Sequence, residues 1–141
     1  MKRKDERWKK ILMVALIVLM LSSGLMIFTP RGSSNIKVKI NIYFDPMRTF
    51  TDEIYVGNGS TVLNALNLYL NHLLENQFIT GKTLSLTSEG KLDCIINYCK
   101  TSDKAWNLYL NDNLVDEKLE NVFLKEGDYI SFKYEFINRS S

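Results

Sequence analysis

An uncharged apolar run at residues 11–28 constrains this 141-residue chain more than any other feature. The run is long enough to cross a bilayer as one helix, since about 17–25 apolar residues span the hydrocarbon core. Residues 1–10 contain six Lys or Arg side chains against two acidic ones, and such a basic flank stays in the cytoplasm. The sequence therefore predicts a cytoplasmic tail at 1–10, a transmembrane signal anchor at 11–28 and a single-pass protein of the cell membrane whose C-terminal domain lies outside.

A cleaved signal peptide is the other interpretation of this segment. The apolar part of a signal peptide is usually about 7–15 residues long and precedes a small-residue cleavage site. This run is longer, and it ends in the bulky sequence Leu-Met-Ile-Phe at 25–28 with no Ala-x-Ala pattern after it. The missing cleavage pattern favours the uncleaved anchor.

A short segment containing Pro, Gly and Ser at 29–35 follows the apolar run and is interpreted as a linker. The next residues, 36–137, suffice for one extracytoplasmic domain with a single core, and 138–141 form a tail. Residues 32–141 carry eleven basic and fourteen acidic side chains. This mildly acidic balance argues against nucleic acid as a partner, because nucleic-acid binding requires a basic face.

Hydrophobic periodicity predicts the first elements of the domain. Apolar and polar residues alternate over 38–44, which is typical of a half-buried strand, and a second strand is predicted over 52–56. The period then changes to that of an amphipathic helix over 62–73. Ser60 or Thr61 is expected to cap this helix, since a hydroxyl can accept a hydrogen bond from a free N–H of the first turn.

The alternation returns after the helix and predicts strands over 84–86, 92–98, 106–110 and 130–136. Two strands, one helix and then further strands are typical of an α+β fold in which the helix packs across one face of a mixed sheet. A β-grasp-like arrangement is the simplest closure of these elements.

Three stretches of the chain resemble a known family. They are Gly-Ser-Thr-Val-Leu-Asn-Ala-Leu at 59–66, Ala-Trp-Asn-Leu-Tyr-Leu-Asn-Asp at 105–112 and Leu-Lys-Glu-Gly-Asp-Tyr-Ile at 124–130. In order and spacing they are similar to the helix entry, the hairpin and the last turn of the transcobalamin-type C-terminal β-domain family. The resemblance covers about residues 36–136 and implies a β-grasp-like fold, which many microbial surface proteins of unknown function share.

The resemblance also implies a kind of function. In the vitamin B12 carriers of this family, the β-domain closes over a corrin ligand that a separate helical domain holds. Asn64, Ala105 and Asp112 stand where the family has Asp, Gly and Gly, and no helical domain is present in these 141 residues. The resemblance therefore implies a module for a corrinoid or another small ligand that acts with a transporter or a second surface protein. No cofactor is predicted, and a corrinoid is suggested by the resemblance alone.

Cys94 and Cys99 are candidates for a disulfide, because two cysteines this close in an extracytoplasmic domain favour a bridge. Their odd separation places them on opposite faces of a straight strand, so that a bridge requires a bulge or turn between them. The alternative is a core Cys94 and a free thiol at Cys99. Two sulfurs and the distant His72 are too few ligands for a metal site, and none is predicted.

Tyr98 and Tyr109 are the candidate ligand-binding residues. Tyr98 ends its predicted strand, and Tyr109 lies on the face opposite Leu108, whereas Trp106 shares the Leu108 face and is expected in the core. Asn58 and Asn138 begin Asn-x-Ser sequences and are candidate glycosylation sites.

No catalytic constellation is predicted. His72 is the only histidine and is expected on the polar face of the helix, and no nucleophile–base arrangement or phosphate-binding loop is recognisable. We therefore expect a protein that is not an enzyme. Two classes of function stay open: a membrane-anchored extracytoplasmic ligand-binding module, and a structural or adaptor module that binds protein at the cell surface.

Overall fold

The computed structural model describes residues 34–81 and 84–137. The predicted basic tail, the signal anchor and nearly all of the linker lie outside these ranges, as does the tail at 138–141 with Asn138. Within the described ranges, no helix has both the length and the apolar character needed to cross a membrane.

Eight strands, one α-helix and one short 3-10 helix make up the described domain. The strands are β1 Asn35–Asp45, β2 Arg48–Gly57, β3 Leu84–Leu86, β4 Leu92–Ile95, β5 Tyr98–Cys99, β6 Lys104–Leu110, β7 Asn113–Val115 and β8 Tyr129–Phe136. The helix α1 spans Val62–Glu75, and the 3-10 helix spans Leu119–Asn121.

The strands form two sheets. The larger sheet has the order β2-β1-β8-β6-β7, in which β1 and β8 run parallel and the other neighbours are antiparallel. The smaller sheet has the order β3-β4-β5. Both pairings of the smaller sheet are antiparallel. The described residues therefore adopt the α+β class that the sequence predicts, with one mixed sheet, one antiparallel sheet and one α-helix.

The predicted strand over 92–98 is wrong as a single element. The chain turns back at Ile96 and Asn97, so that β4 and β5 form a tight antiparallel hairpin. Ile96 has a φ of 56°, the positive value that the first central residue of a two-residue hairpin turn adopts. The alternating apolar pattern missed this turn because Ile96 is not a typical turn residue.

The helix α1 begins with a capping box. Thr61 is the N-cap: its hydroxyl accepts a hydrogen bond from the Asn64 N–H, and the Asn64 side-chain oxygen accepts one from the Thr61 N–H at 2.9 Å. Two free donors of the first turn are thereby satisfied. The helix buries an apolar face that consists of Val62, Ala65, Leu66, Tyr69, Leu70 and Leu73.

The core lies between the larger sheet and the layer that contains α1. From Val38 to Phe44, the even-numbered side chains of β1 are at most 1% exposed. The odd-numbered side chains point to the opposite face, which is open to solvent at Lys39 and Tyr55.

A chain of hydrogen bonds crosses three strands on that opposite face. The Thr51 hydroxyl of β2 donates to the Asn41 side-chain oxygen of β1, and the Asn41 side-chain NH2 donates to the Ser131 hydroxyl of β8. Buried polar groups that are paired in this way cost little free energy.

We expect Leu66→Ala to lower the free energy of unfolding by about 2–5 kcal/mol, because it leaves a cavity in the core. Leu68 provides a matched control on the same helix, since it is 46% exposed. Leu68→Ala should change the stability far less. Urea denaturation of both variants measures the difference, and equal effects would show that the buried face of α1 has been assigned wrongly.

A disulfide joins Cys94 to Cys99 across the β4–β5 hairpin. The two residues are direct antiparallel partners, with Cα atoms 4.0 Å apart. The turn at Ile96 and Asn97 reverses the chain and brings both sulfurs to one side, which a straight strand cannot do. The odd spacing of the two cysteines predicts that a Cys94–Cys99 bridge requires a bulge or turn between the two residues, and the structure contains such a turn.

The double variant Cys94→Ala/Cys99→Ala should lose about 2 kcal/mol of stability, the entropic effect of opening a loop of this length. Chemical denaturation with and without a thiol reductant measures it. The reduced wild-type protein is the control, because it removes the bond without removing side-chain atoms. A reduced protein as stable as the oxidised one would contradict this account.

Candidate functional site: a groove at the β6 edge

A groove lies where β6, β7 and β8 meet on the face of the sheet opposite α1. Its volume is about 620 Å³, and we call it the edge groove. The residues that line it are Lys100, Ala105, Asn107, Tyr109, Leu114, Glu135, Phe136 and Ile137. An adjoining cavity of about 480 Å³ shares Lys100, Ala105, Asn107 and Leu114 with it and continues around the strand toward the 87–91 turn.

Strand alternation places the polar side chains of the groove. Ala105, Asn107 and Tyr109 are alternate residues of β6, so their side chains share one face. Ala105 is the direct partner of Glu135 in β8. Glu135 therefore lies on the same face as the two polar side chains of β6, and its carboxylate extends along the strand toward them.

The Glu135 carboxylate organises the polar wall. One of its oxygens, Oε2, accepts a hydrogen bond from Asn107 Nδ2 at 2.9 Å and another from the Tyr109 hydroxyl at 2.9 Å. The bond to Glu135 and partial burial raise the pKa of the Tyr109 hydroxyl above its ordinary value. The Lys133 ammonium lies 4.5 Å from the centre of the Tyr109 ring, within the range of a cation–π contact.

Exposed apolar side chains flank this polar wall on both sides of β6. Leu114 on β7 is 62% exposed, and Phe136 and Ile137 at the end of β8 are 71% and 39% exposed. Exposed apolar side chains grouped around a concave surface are typical of interaction sites. Together with Asn107 and Glu135, they suit a ligand that has one apolar face and polar groups at its edge.

The two predicted ligand-binding tyrosines are not brought together. Tyr109 lines the edge groove, whereas Tyr98 lies on the other side of the sheet in an aromatic cluster. The Tyr98 ring is 4.6 Å from Phe44 and 5.7 Å from Tyr134, measured between ring centres. Its hydroxyl also accepts a hydrogen bond from Arg48. These contacts give Tyr98 a packing role, and its contact with a ligand stays a prediction.

Trp106 is buried, as the sequence predicts, at 7% exposure. Its indole N–H donates to the Tyr98 carbonyl at 2.8 Å, which ties β6 to the β4–β5 hairpin. Sequence reasoning did not select Asn107, Leu114, Glu135 or Phe136. Alternation indicates that Asn107 shares a face with Tyr109, but only the tertiary structure shows that β8 lies beside β6.

The remaining candidates occupy other places. Asn58 is exposed in the turn at 57–60, where the Ser60 N–H donates to the Gly57 carbonyl. His72 is exposed on α1. Among residues 34–81 and 84–137, no three His, Cys, Asp or Glu side chains are grouped as metal ligands.

No protein-family model matches the sequence, and no curated protein matches it significantly. Among solved structures, haptocorrin in complex with Cbi is similar with a TM-score of 0.56 and 19% identity. The match covers 73% of this chain and 26% of haptocorrin. A Ruminococcus gnavus protein assigned provisionally to metal binding matches 72% of this chain and 98% of its own length, at 9% identity and a TM-score of 0.47.

The likeness to haptocorrin shows a related fold, in agreement with the transcobalamin-type resemblance of the sequence. This chain spans about a quarter of haptocorrin. At this level of identity the likeness extends to the fold alone. The Ruminococcus gnavus structure is too distant to support an argument about metal binding.

Proposed function

We propose that the domain is a non-catalytic binding module for a small amphiphilic ligand, such as a corrinoid, which it covers on one face through the edge groove. The observation that carries this proposal is that the exposed apolar side chains of Leu114 and Phe136 flank the polar Glu135 cluster in one groove. The fold supports it further. A helix packed across a mixed sheet, with β1 and β8 parallel at its centre, fits the β-grasp-like arrangement expected from the sequence.

The size and shape of the groove argue that a second protein completes the ligand site. Its volume of about 620 Å³ lies within the usual range for small-ligand pockets. Such ligands are normally buried over most of their surface, whereas this groove is open on one side. We propose that a second protein, a surface protein or a transporter, covers the other face of the ligand.

The full-length chain should be stabilised by corrinoids in a thermal-shift screen at millimolar ligand concentration. A ligand present at 100 times its Kd raises the free energy of unfolding by about 2.7 kcal/mol, so even weak binding to one face is detectable. Tyr109→Ala should weaken the binding about tenfold or more, because the ring forms part of the groove and its hydroxyl orients Glu135.

Tyr55→Ala is the matched control, since Tyr55 is 63% exposed on β2 at the other end of the sheet. It should leave ligand binding unchanged. Equal loss of binding in both variants would place the ligand outside the groove. No shift with corrinoids or other flat amphiphilic molecules would contradict the proposed function.

Residues 11–28 support a further part of the proposal, that the domain is anchored to the outside of the cell membrane. The basic flank and the apolar run argue for this topology. Protease added to intact cells or spheroplasts should remove the chain beyond about residue 32 if the flank keeps the tail inside. Release of the untreated domain into the medium would instead support a cleaved signal peptide.

A structural or adaptor role is the second candidate function. It is favoured by the position of β2 at the end of the larger sheet, because an edge strand offers backbone groups with which another chain can pair.

A further inference from the structure

The outer edge of β2 presents a row of backbone groups away from the sheet. The Asn58 N–H donates to the Ser34 carbonyl at 3.1 Å, which continues the β1–β2 ladder beyond Gly57. Bonding alternates along an antiparallel strand, so the even-numbered residues of β2 bond to β1. The N–H and C=O groups of Glu53 and Tyr55 therefore point outward.

A cavity of about 410 Å³ lies between this edge and α1, and we call it the β2 slot. The strand side consists of Glu53, Ile54 and Tyr55. The helix side consists of Leu68, Asn71, His72 and Glu75, which follow one another at spacings of three, one and three. Residues at such spacing form one stripe of a helix, so the stripe runs alongside the strand edge.

The β2 slot combines apolar surface with negative charge. Leu68 on the helix side is 46% exposed, which is a large fraction for a leucine side chain. Glu75 contributes a carboxylate on the same side, and the C-terminal end of α1 adds a partial negative charge. The side chains of Glu53 and Tyr55 point to the other face of the sheet, where Lys37 pairs with Glu53, so these two residues contribute their backbone groups to the slot.

We propose that an extended, basic segment of a partner protein adds to β2 as a further strand and occupies the β2 slot. Its backbone pairs with Tyr55, an apolar side chain packs on Leu68, and a Lys or Arg side chain approaches Glu75. Strand addition of this kind takes its affinity from main-chain hydrogen bonds and its specificity from pockets for alternate side chains. This surface is separate from the edge groove, so the proposal does not depend on the proposed ligand.

The free protein already protects part of this edge. The Asp52 carboxylate accepts a hydrogen bond from the outward Glu53 N–H at 2.8 Å. This bond and the acidic pair Asp52–Glu53 disfavour pairing with a second copy of the same strand, because like charges then come together across the new ladder. A basic segment removes the repulsion, and its carbonyl replaces the Asp52 oxygen at the Glu53 N–H.

The experiment uses the full-length chain in neutral detergent and the fluorescein-labelled peptide Val-Thr-Lys-Thr-Val-Thr-Lys-Thr, which as a strand presents valine and lysine on one face, as Leu68 and Glu75 on α1 require. Fluorescence polarisation should show that this peptide binds about tenfold or more tightly than the same peptide with glutamate in place of lysine. The Tyr55 amide should become protected from hydrogen exchange in the complex, which non-specific charge attraction does not produce.

Two variants with matched controls separate pairing from charge. Tyr55→Pro removes an outward N–H and should abolish binding of the peptide. Thr49→Pro removes an outward N–H beyond the slot and should leave binding unchanged. Both variants should fold, because an edge strand tolerates proline at such positions.

The second pair of variants tests the charge. Glu75→Lys should weaken binding of the basic peptide, whereas Glu89→Lys, at an exposed site away from the slot, should leave it unchanged. Equal binding of both peptides, an unprotected Tyr55 amide or full affinity in Glu75→Lys would overturn the proposal.

Discussion

The parallel pairing of β1 with β8 is the constraint on which the rest of the structure depends. It joins the first and last strands of the described domain, with Ile40 opposite Ile130 and Ile42 opposite Phe132, all fully buried. The turn before β8 helps to hold β1 and β8 in register through two backbone hydrogen bonds to β1. The Lys39 N–H donates to the Asp128 carbonyl, and the Gly127 N–H donates to the Lys37 carbonyl, each at 2.9 Å. Parallel neighbours require a long crossover connection, and here the chain between them contains α1 and the smaller sheet.

The two faces of the larger sheet have different surroundings as a result. The crossover covers one face and builds the core from Phe44, Leu66 and their neighbours. The other face keeps its polar side chains and holds the edge groove at the end formed by β6 and β8. The helix also leaves a slot beside β2. The edge groove thus lies on the face that the covering layer leaves open, and the β2 slot lies where that layer ends.

Sequence reasoning predicted the face on which a side chain lies where one strand was enough. Tyr109 lies in the edge groove because its position in β6 directs it away from Leu108, and alternation alone shows this. Tyr98 lies in the aromatic cluster because the chain turns at Ile96, and Glu135 enters the groove because β8 pairs with β6. The local sequence pattern indicates neither the turn at Ile96 nor the pairing of β8 with β6.

The sequence by itself determined the α+β order of elements, a hydroxyl cap at Ser60 or Thr61 and the faces that α1 and most strands bury. These features follow from periodicity and local hydrogen bonding, which neighbouring residues control. Only the tertiary structure decided the strand order, the β4–β5 hairpin with its disulfide, and the residues that share the edge groove and the β2 slot. The physical reason is that a period of two assigns each side chain to a face, whereas the neighbouring strand is selected by packing between residues far apart in the chain, such as Ile42 and Phe132.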